Sequence, residues 1–132
     1  MVTLPNTMEN LSRLTHLILS ANQHIKIPDC VFFFPNLKQL DVRSCDLNDV
    51  DLPKKKLAYV CYDSNTKWPE DFDYKKSGAY YIGQNTNLNE ADLSGFDLEG
   101  SNLDFANLEG VNLRNANLRN VNLSEASLIS AN

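Results

Sequence analysis

Few side chains in this chain are able to do chemistry. Three cysteines, Cys30, Cys45 and Cys61, and two histidines, His16 and His24, are the candidates for a nucleophile, a general base or a metal ligand. A catalytic thiol needs a base or a positive charge beside it to hold the thiolate, and a structural zinc needs four clustered nitrogen or sulfur donors. The cysteines lie 15 and 16 residues apart, with no CxxC pair. Their odd number and wide spacing indicate neither a disulfide framework nor a zinc knuckle, and reduced thiols are the economical reading. Asp46, Asp49 and Asp51 are grouped, but the stretch Asp-Leu-Asn-Asp-Val-Asp-Leu reads as a loop of solvated acids. There is no GxSxG, Walker loop, GxGxxG, HExxH or EF-hand pattern. The expectation is a protein without catalytic residues, metal or cofactor.

Charge narrows the partners. Residues 1–84 carry ten acidic and ten basic side chains, whereas residues 85–132 carry seven acidic and two basic, so the whole net charge of -5 resides in the second part. An acidic surface repels phosphates, and the run Lys54–Lys56 is too short to track a nucleic acid, so direct nucleic-acid binding is not expected. The opening MVTLPNTMENLSRL has neither a basic n-region nor a long apolar stretch. No window approaches the ~20 apolar residues of a membrane span. A cytoplasmic location without membrane contact follows as the expectation.

The elements that must hold these residues are repeats. From residue 86 onward leucine recurs at 88, 93, 98, 103, 108, 113, 118, 123 and 128, a period of five that suits neither an α-helix nor a flat strand. Two residues before each leucine stands a mostly small residue: Thr86, Ala91, Phe96, Ser101, Ala106, Val111, Ala116, Val121 and Ala126. Between them sits Asn or Asp in every unit but the last, where it is Ser127. Short polar side chains there can bond turn backbone. This pattern resembles the pentapeptide-repeat family, A(D/N)LXX, over residues 86–132. The resemblance implies a right-handed quadrilateral β-helix in which one unit makes one face, four make a coil, and leucine and the small residue point inward. Coils of twenty residues would set Phe96 beside Ala116, a large-to-small match, and Glu99 beside Arg119.

An earlier repeat is longer. Leu14-x-x-Leu17-x-Leu19-x-x-Asn22, Leu37-x-x-Leu40-x-Val42-x-x-Cys45 and Leu57-x-x-Val60-x-Tyr62-x-x-Asn65 align at spacings of 23 and 20 residues. They resemble the leucine-rich-repeat signature, in which Asn or Cys at the last position meets turn backbone. Cys45 is then structural. The segments 4–8 and 27–31, with Phe34-Pro35-Asn36-Leu37, read as convex-side segments that bury Met, Ile, Val or Phe under the sheet. The expected fold class is a mainly β solenoid: a leucine-rich-repeat segment over residues 1–65, a junction and cap over 66–85, and the pentapeptide β-helix over 86–132.

The junction, from Tyr62-Asp63 through Trp68-Pro69 and Phe72-Asp73-Tyr74 to Gly78-Ala79-Tyr80, resembles a segment that precedes pentapeptide arrays in bacterial, especially cyanobacterial, proteins. Tyr74 replaces the usual proline of that segment. Lacking the composition of a flexible linker, it is expected to be structural, with Tyr80–Ile82 as a capping strand and Trp68 and Phe72 packed across the junction.

Leucine-rich repeats bind partners on the concave sheet, and the resemblance places three rows there: His16, Gln39 and Tyr59; Ile18, Asp41 and Cys61; Ser20, Arg43 and Asp63. Exposed Tyr59 and Arg43 have the make-up of interface anchors, while the plain alternative is a solvated sheet with a cross-strand pair between Arg43 and Asp63. The expected function is a non-catalytic protein-interaction or scaffolding module. A competing reading takes the acidic second part as a DNA mimic acting on a DNA-binding enzyme such as a topoisomerase, as in some pentapeptide-repeat proteins. Both ends of the solenoid read as uncapped, and a homodimer through the last coil, burying Leu123, Leu128 and Ile129, is a further expectation.

Overall fold

The computed structural model describes Val2, Thr3, Met8 and residues 11–132. The convex segment expected at residues 4–8 therefore lies outside the described residues except for Met8. The chain divides into two compact units, Met1–Tyr80 and Tyr81–Asn132.

In the first unit the apolar positions of the long repeat become neighbouring strands. Strands β2 (His16–Ile18), β4 (Gln39–Asp41) and β5 (Val60–Tyr62) are parallel and adjacent in that order, with β2 at one edge. Leu17 pairs with Leu40 and Leu40 with Val60, while Ile18 pairs with Asp41 and Asp41 with Cys61. This is the register of the aligned repeats, because a one-residue slip would turn the leucines of each strand to the other face. Leu19, Val42 and Tyr62 continue the buried row. Between β2 and β4 the chain makes a 3-10 helix, Asp29–Phe33, whose start after Pro28 buries Val31 and Phe32 alongside Ile27 and Phe34. A separate two-stranded parallel ladder, β1 (Val2–Thr3) with β3 (Ile25–Lys26), was not anticipated from the repeats.

The segment after β5 is structural. Lys67 N–H donates to the Cys45 carbonyl at 2.9 Å and Leu47 N–H donates to the Lys67 carbonyl at 2.7 Å, which extends the ladder past the third repeat. Trp68 is buried, stacked on Phe72 and Tyr74 and met edge-on by Tyr62. All four rings belong to the first unit, so the packing expected across the junction is a cluster within that unit. The short strand β6 (Tyr80–Tyr81) follows at the boundary.

In the second unit five isolated parallel bridges each join residues twenty apart: Asn87 to Asn107, Asp92 to Asn112, Asp97 to Asn117, Asn102 to Asn122 and Asn107 to Ser127. Four pentapeptides thus close one coil. Each corner is a turn in which the small residue's N–H donates to the preceding leucine carbonyl, as from Ala91 to Leu88 at 3.0 Å and from Phe96 to Leu93 at 3.1 Å. The residue just before the small one has positive φ in every unit, from Asn85 (57°) and Glu90 (59°) through Gly100 (67°) and Phe105 (57°) to Ser130 (58°). A turn closed in this way, with its third residue left-handed, favours glycine or asparagine there, and other residues cost about 1–2 kcal/mol.

The Asn and Asp positions complete the corners. Their side-chain oxygens accept from the backbone N–H two residues on, at 3.1 Å for Asp97 with Glu99 and 3.2 Å for Asn102 with Asp104. They also stack between coils. The Nδ2 groups of Asn112, Asn117 and Asn122 donate to the Oδ1 atoms of Asp92, Asp97 and Asn102 at 3.0, 2.9 and 3.0 Å. Phe96 lies one coil from Ala116, as the register requires, with Asn117 N–H donating to its carbonyl at 2.9 Å. Glu99 lies one coil from Arg119 as the register requires, with Gly100 N–H donating to the Arg119 carbonyl at 3.0 Å, and its carboxylate accepts from Asn117 Nδ2 at 3.1 Å.

Burial falls along the array. Leu88, Leu93, Leu98, Leu103 and Leu108 are buried, Leu113, Leu118 and Leu123 are half-buried, and Leu128 is 41% exposed. Leu98→Ala is therefore expected to cost about 2–5 kcal/mol in urea unfolding, whereas Leu128→Ala should stay within about 1 kcal/mol of wild type; equal losses at both sites would contradict the gradient. The corner backbone gives an opposed pair. Nothing crowds a Cβ at Gly100, so Gly100→Ala tests φ alone and should destabilise by about 1 kcal/mol, while Phe105→Asn should stabilise by a similar amount.

Candidate functional site

Two of the three thiols, those of Cys45 and Cys61, are buried in the sheet and its turn. Cys45 stands at the turn leaving β4, where its Sγ donates to the Leu19 carbonyl at 3.0 Å. Asn22, its counterpart one repeat earlier, donates Nδ2 to that same carbonyl at 2.8 Å. Asn and Cys are thus interchangeable here because both carry a donor to the turn. Burial pushes the Cys45 thiol up to about 11. Cys61 is fully buried on β5, and burial, then the neighbouring Asp41 carboxylate, drive its pKa well above the ordinary value. Neither sulfur is a nucleophile at neutral pH. Among the described residues no three His, Cys, Asp or Glu side chains are grouped to hold a metal ion, and no helix is long and apolar enough to cross a membrane.

The three rows across β2, β4 and β5 are assembled as the repeats imply, but they are not the solvated face expected from sequence. His16 and Ile18 are exposed, Ile18 at 51%, while Ser20 is half-buried. Gln39, Asp41 and Cys61 are buried, and Tyr59 and Asp63 are half-buried. The exposed Cys61 of the sequence reading is thus corrected, as is the free Arg43. The reason lies in the strand pairing. Gln39 and Asp41 sit on the central strand with a neighbour on each side, and the Arg43 guanidinium folds back two residues to cover Asp41. Arg43 Nε donates to both Asp41 oxygens at 3.0 and 3.1 Å and a terminal nitrogen donates at 2.7 Å. This two-pronged pair replaces the cross-strand pair with Asp63. The Gln39 amide nitrogen is buried with no hydrogen-bond partner.

Asp63 has a different task. Its carboxylate accepts from Ser44 N–H and Ser44 Oγ, both at 2.8 Å, from Asn65 N–H at 3.0 Å and from Thr66 Oγ1 at 3.0 Å. Burial pushes its pKa up, but these donors together outweigh burial and hold the carboxyl below its ordinary value. Tyr59 donates its hydroxyl to the Phe32 carbonyl at 2.9 Å, and Lys55 Nζ lies 5.4 Å from its ring centroid. Of the nine residues placed on the face, His16 and Ile18 are exposed on the edge strand, His16 with its Nδ1 2.9 Å from Thr15 Oγ1, and the other seven are buried or half-buried.

On the other side of β3 a groove of about 550 Å³ is lined by Gln23 to Ile27 and by Asp46, Asn48, Asp49 and Val50. The sequence reading took Asp46 and Asp49 only as loop acids. Asp46 is tied to Lys67, 3.3 Å from its Nζ. Nothing in the repeat alignment marks this groove, because it forms between the β3 ladder and the loop leaving β4.

With the geometry in place, comparison with known families shows that the model of pentapeptide repeats matches residues 84–120 and 106–132, with eight copies. No curated protein gives a significant match to the chain. Residues 84–132 therefore match pentapeptide repeats, which imply a β-helix-like fold and generally form non-catalytic interaction modules.

A pH test follows from Asp63. A carboxyl with a lowered folded-state pKa adds stability above its unfolded value, about 3.9, and that stability is lost as pH falls through the folded value. Asp63→Ala should thus cost about 1–3 kcal/mol at pH 7, leaving Ser44 N–H without a partner. The gap from wild type should narrow as unfolding is measured at successively lower pH from 4 downward. A gap independent of pH would show that the carboxylate charge is not the stabilising feature.

Proposed function

Taking residues 84–132 as a pentapeptide-repeat array, we propose that the chain is a non-catalytic protein-binding or scaffolding module, its first unit a leucine-rich-repeat segment that docks a protein partner at its edge strand. The observation that carries this is the exposure of Ile18, at 51%, beside exposed His16 on β2, while the inner positions of the same rows are buried. An aliphatic side chain left open on a sheet that buries its other members is the kind of anchor that protein interfaces use. Cys45 and Cys61 fit such a role as structural thiols, their pKa values raised by burial. The second unit then serves as a scaffold of right-handed quadrilateral coils carrying its own outer faces.

The competing reading is the acidic DNA mimic. It is supported by seven acidic against two basic side chains over residues 85–132. It is weakened by the ladder, in which Asn112 and Asn117 sit over Asp92 and Asp97 and break any row of like charges. Phosphate mimicry calls for charges repeated at short, regular spacing.

The test is capture from lysate by the full chain beside Ile18→Asp and His16→Ala. These sites are open, so both variants should fold. Arg43→Glu is avoided because it would set a second carboxylate against buried Asp41. A protein retained by wild type and lost by about tenfold or more with Ile18→Asp is the expected result. Retention unchanged by either substitution would overturn the edge-strand reading, and inhibition of a topoisomerase by a chain lacking residues 1–65 would favour mimicry.

A further inference from the structure

One face of the pentapeptide array gathers exposed apolar side chains together with carboxylates. It is bounded by two columns of corner residues, Asn85, Phe105 and Glu125 on one side and Glu90, Gly110 and Ser130 on the other, all with positive φ. Its middle is the column of bridges joining Asn87, Asn107 and Ser127. The register is fixed by Glu90 N–H donating to the Glu109 carbonyl and Gly110 N–H to the Ile129 carbonyl, both at 2.8 Å. Glu90 and Gly110 are confirmed as stacked neighbours, because a Cβ at Gly110 would lie 3.4 Å from Glu90 Cγ.

Two large apolar side chains stand open on this face: Phe105 is 55% exposed and Ile129 is 64% exposed. Three carboxylates, Glu90, Glu109 and Glu125, are exposed with them, and none is in an ion pair among the described residues. The two arginines of the array, Arg114 and Arg119, fall in the units 111–115 and 116–120, which make the next two faces. Charge is therefore sorted around the coil: this face and the one before it, units 101–105 and 121–125, carry carboxylates and no basic side chain.

Phe105 is costly where it stands. Glycine holds three of the ten corner positions and asparagine three, whereas a phenylalanine with φ of 57° leaves more than half of its surface exposed and so gains little burial to offset its backbone. An exposed aromatic and an exposed aliphatic side chain framed by carboxylates form a surface with two recognition elements, an apolar contact and a field that attracts cations.

We propose that this face is a second interaction surface, and that it takes a cationic polypeptide segment in which lysine or arginine alternates with bulky apolar side chains. The apolar residues of the segment cover Phe105 and Ile129, and its cations meet Glu109 and Glu125, with Glu90 at the far corner. The site is separate from the edge strand of the first unit and stands whether or not that strand binds a partner. A homodimer through the last coil would compete with it, since both would cover Ile129.

The test uses the full chain and a fluorescein-labelled synthetic peptide of about ten residues with alternating lysine and leucine, followed by anisotropy. A lysine–serine peptide of equal charge is the comparator. Phe105→Asn removes the ring while relieving the corner, so loss of binding by a variant at least as stable as wild type cannot be ascribed to unfolding. The expected result is that the lysine–leucine peptide binds wild type at least about tenfold more tightly than the lysine–serine peptide, and that Phe105→Asn removes most of that preference. Glu109→Gln with Glu125→Gln should weaken binding and flatten its salt dependence. The proposal is overturned by equal binding of the two peptides, by a Phe105→Asn variant that binds like wild type, or by light scattering that shows a wild-type dimer dissociated by Phe105→Asn.

Discussion

Everything in the second unit depends on one recurring corner: a leucine carbonyl that accepts the N–H of the small residue three positions on, with the second of the two residues between them held at positive φ. Because the turn recurs at each unit, four units bring the chain back over itself, and every bridge joins residues twenty apart. The leucine is thereby aimed at the interior and the Asn or Asp at the corner, where its side chain binds the backbone two residues on. Coil stacking then adds the asparagine ladder and the buried leucine column. Hydrophobic burial supplies the driving force, but the corner decides which side chains can be buried.

The first unit solves a similar problem with longer repeats. Its strands are short, and the turns after them are held by side chains: Asn22 and Cys45 at one, Asp63 with Ser44 and Thr66 at the next. Among them, Cys45 is one that the sequence nominates for chemistry. Each is engaged with backbone or with a neighbouring hydroxyl, and the thiols are shifted upward by burial. Polar residues in such repeats are chiefly the means by which strand ends satisfy their hydrogen bonds.

Much of this architecture was legible in the sequence. The leucine period marked the five-residue unit, the family resemblance implied four units to a coil and with it the pairing of Phe96 with Ala116, and the alignment of Leu17, Leu40 and Val60 matched the strand register. The candidate face was legible only in part. Periodicity says that Asp41 and Cys61 point away from the leucines, but not that a neighbouring Arg43 will fold over Asp41. That depends on side-chain rotamers and on which of two carboxylates lies nearer, Asp41 on the same strand or Asp63 on the next. The groove beside β3 and the sorting of charge around the array were missed for a related reason: both need elements that are distant in sequence to be set side by side.

The twenty-residue register also makes surface and interior separable. Core positions repeat every five residues, so they are indifferent to which of the four sides a unit occupies, whereas the outer side chains are grouped by side. Gaining or losing one unit upstream would leave every later leucine facing inward while carrying all the downstream outer residues round to the adjacent side. Duplication of fifteen nucleotides could thus redistribute Glu109, Phe105 and their neighbours into new combinations, at the expense only of local matches such as Phe96 with Ala116. In such an array the reading of the interior has a period of one unit and the reading of the exterior a period of four, which lets the same scaffold be re-addressed without being redesigned.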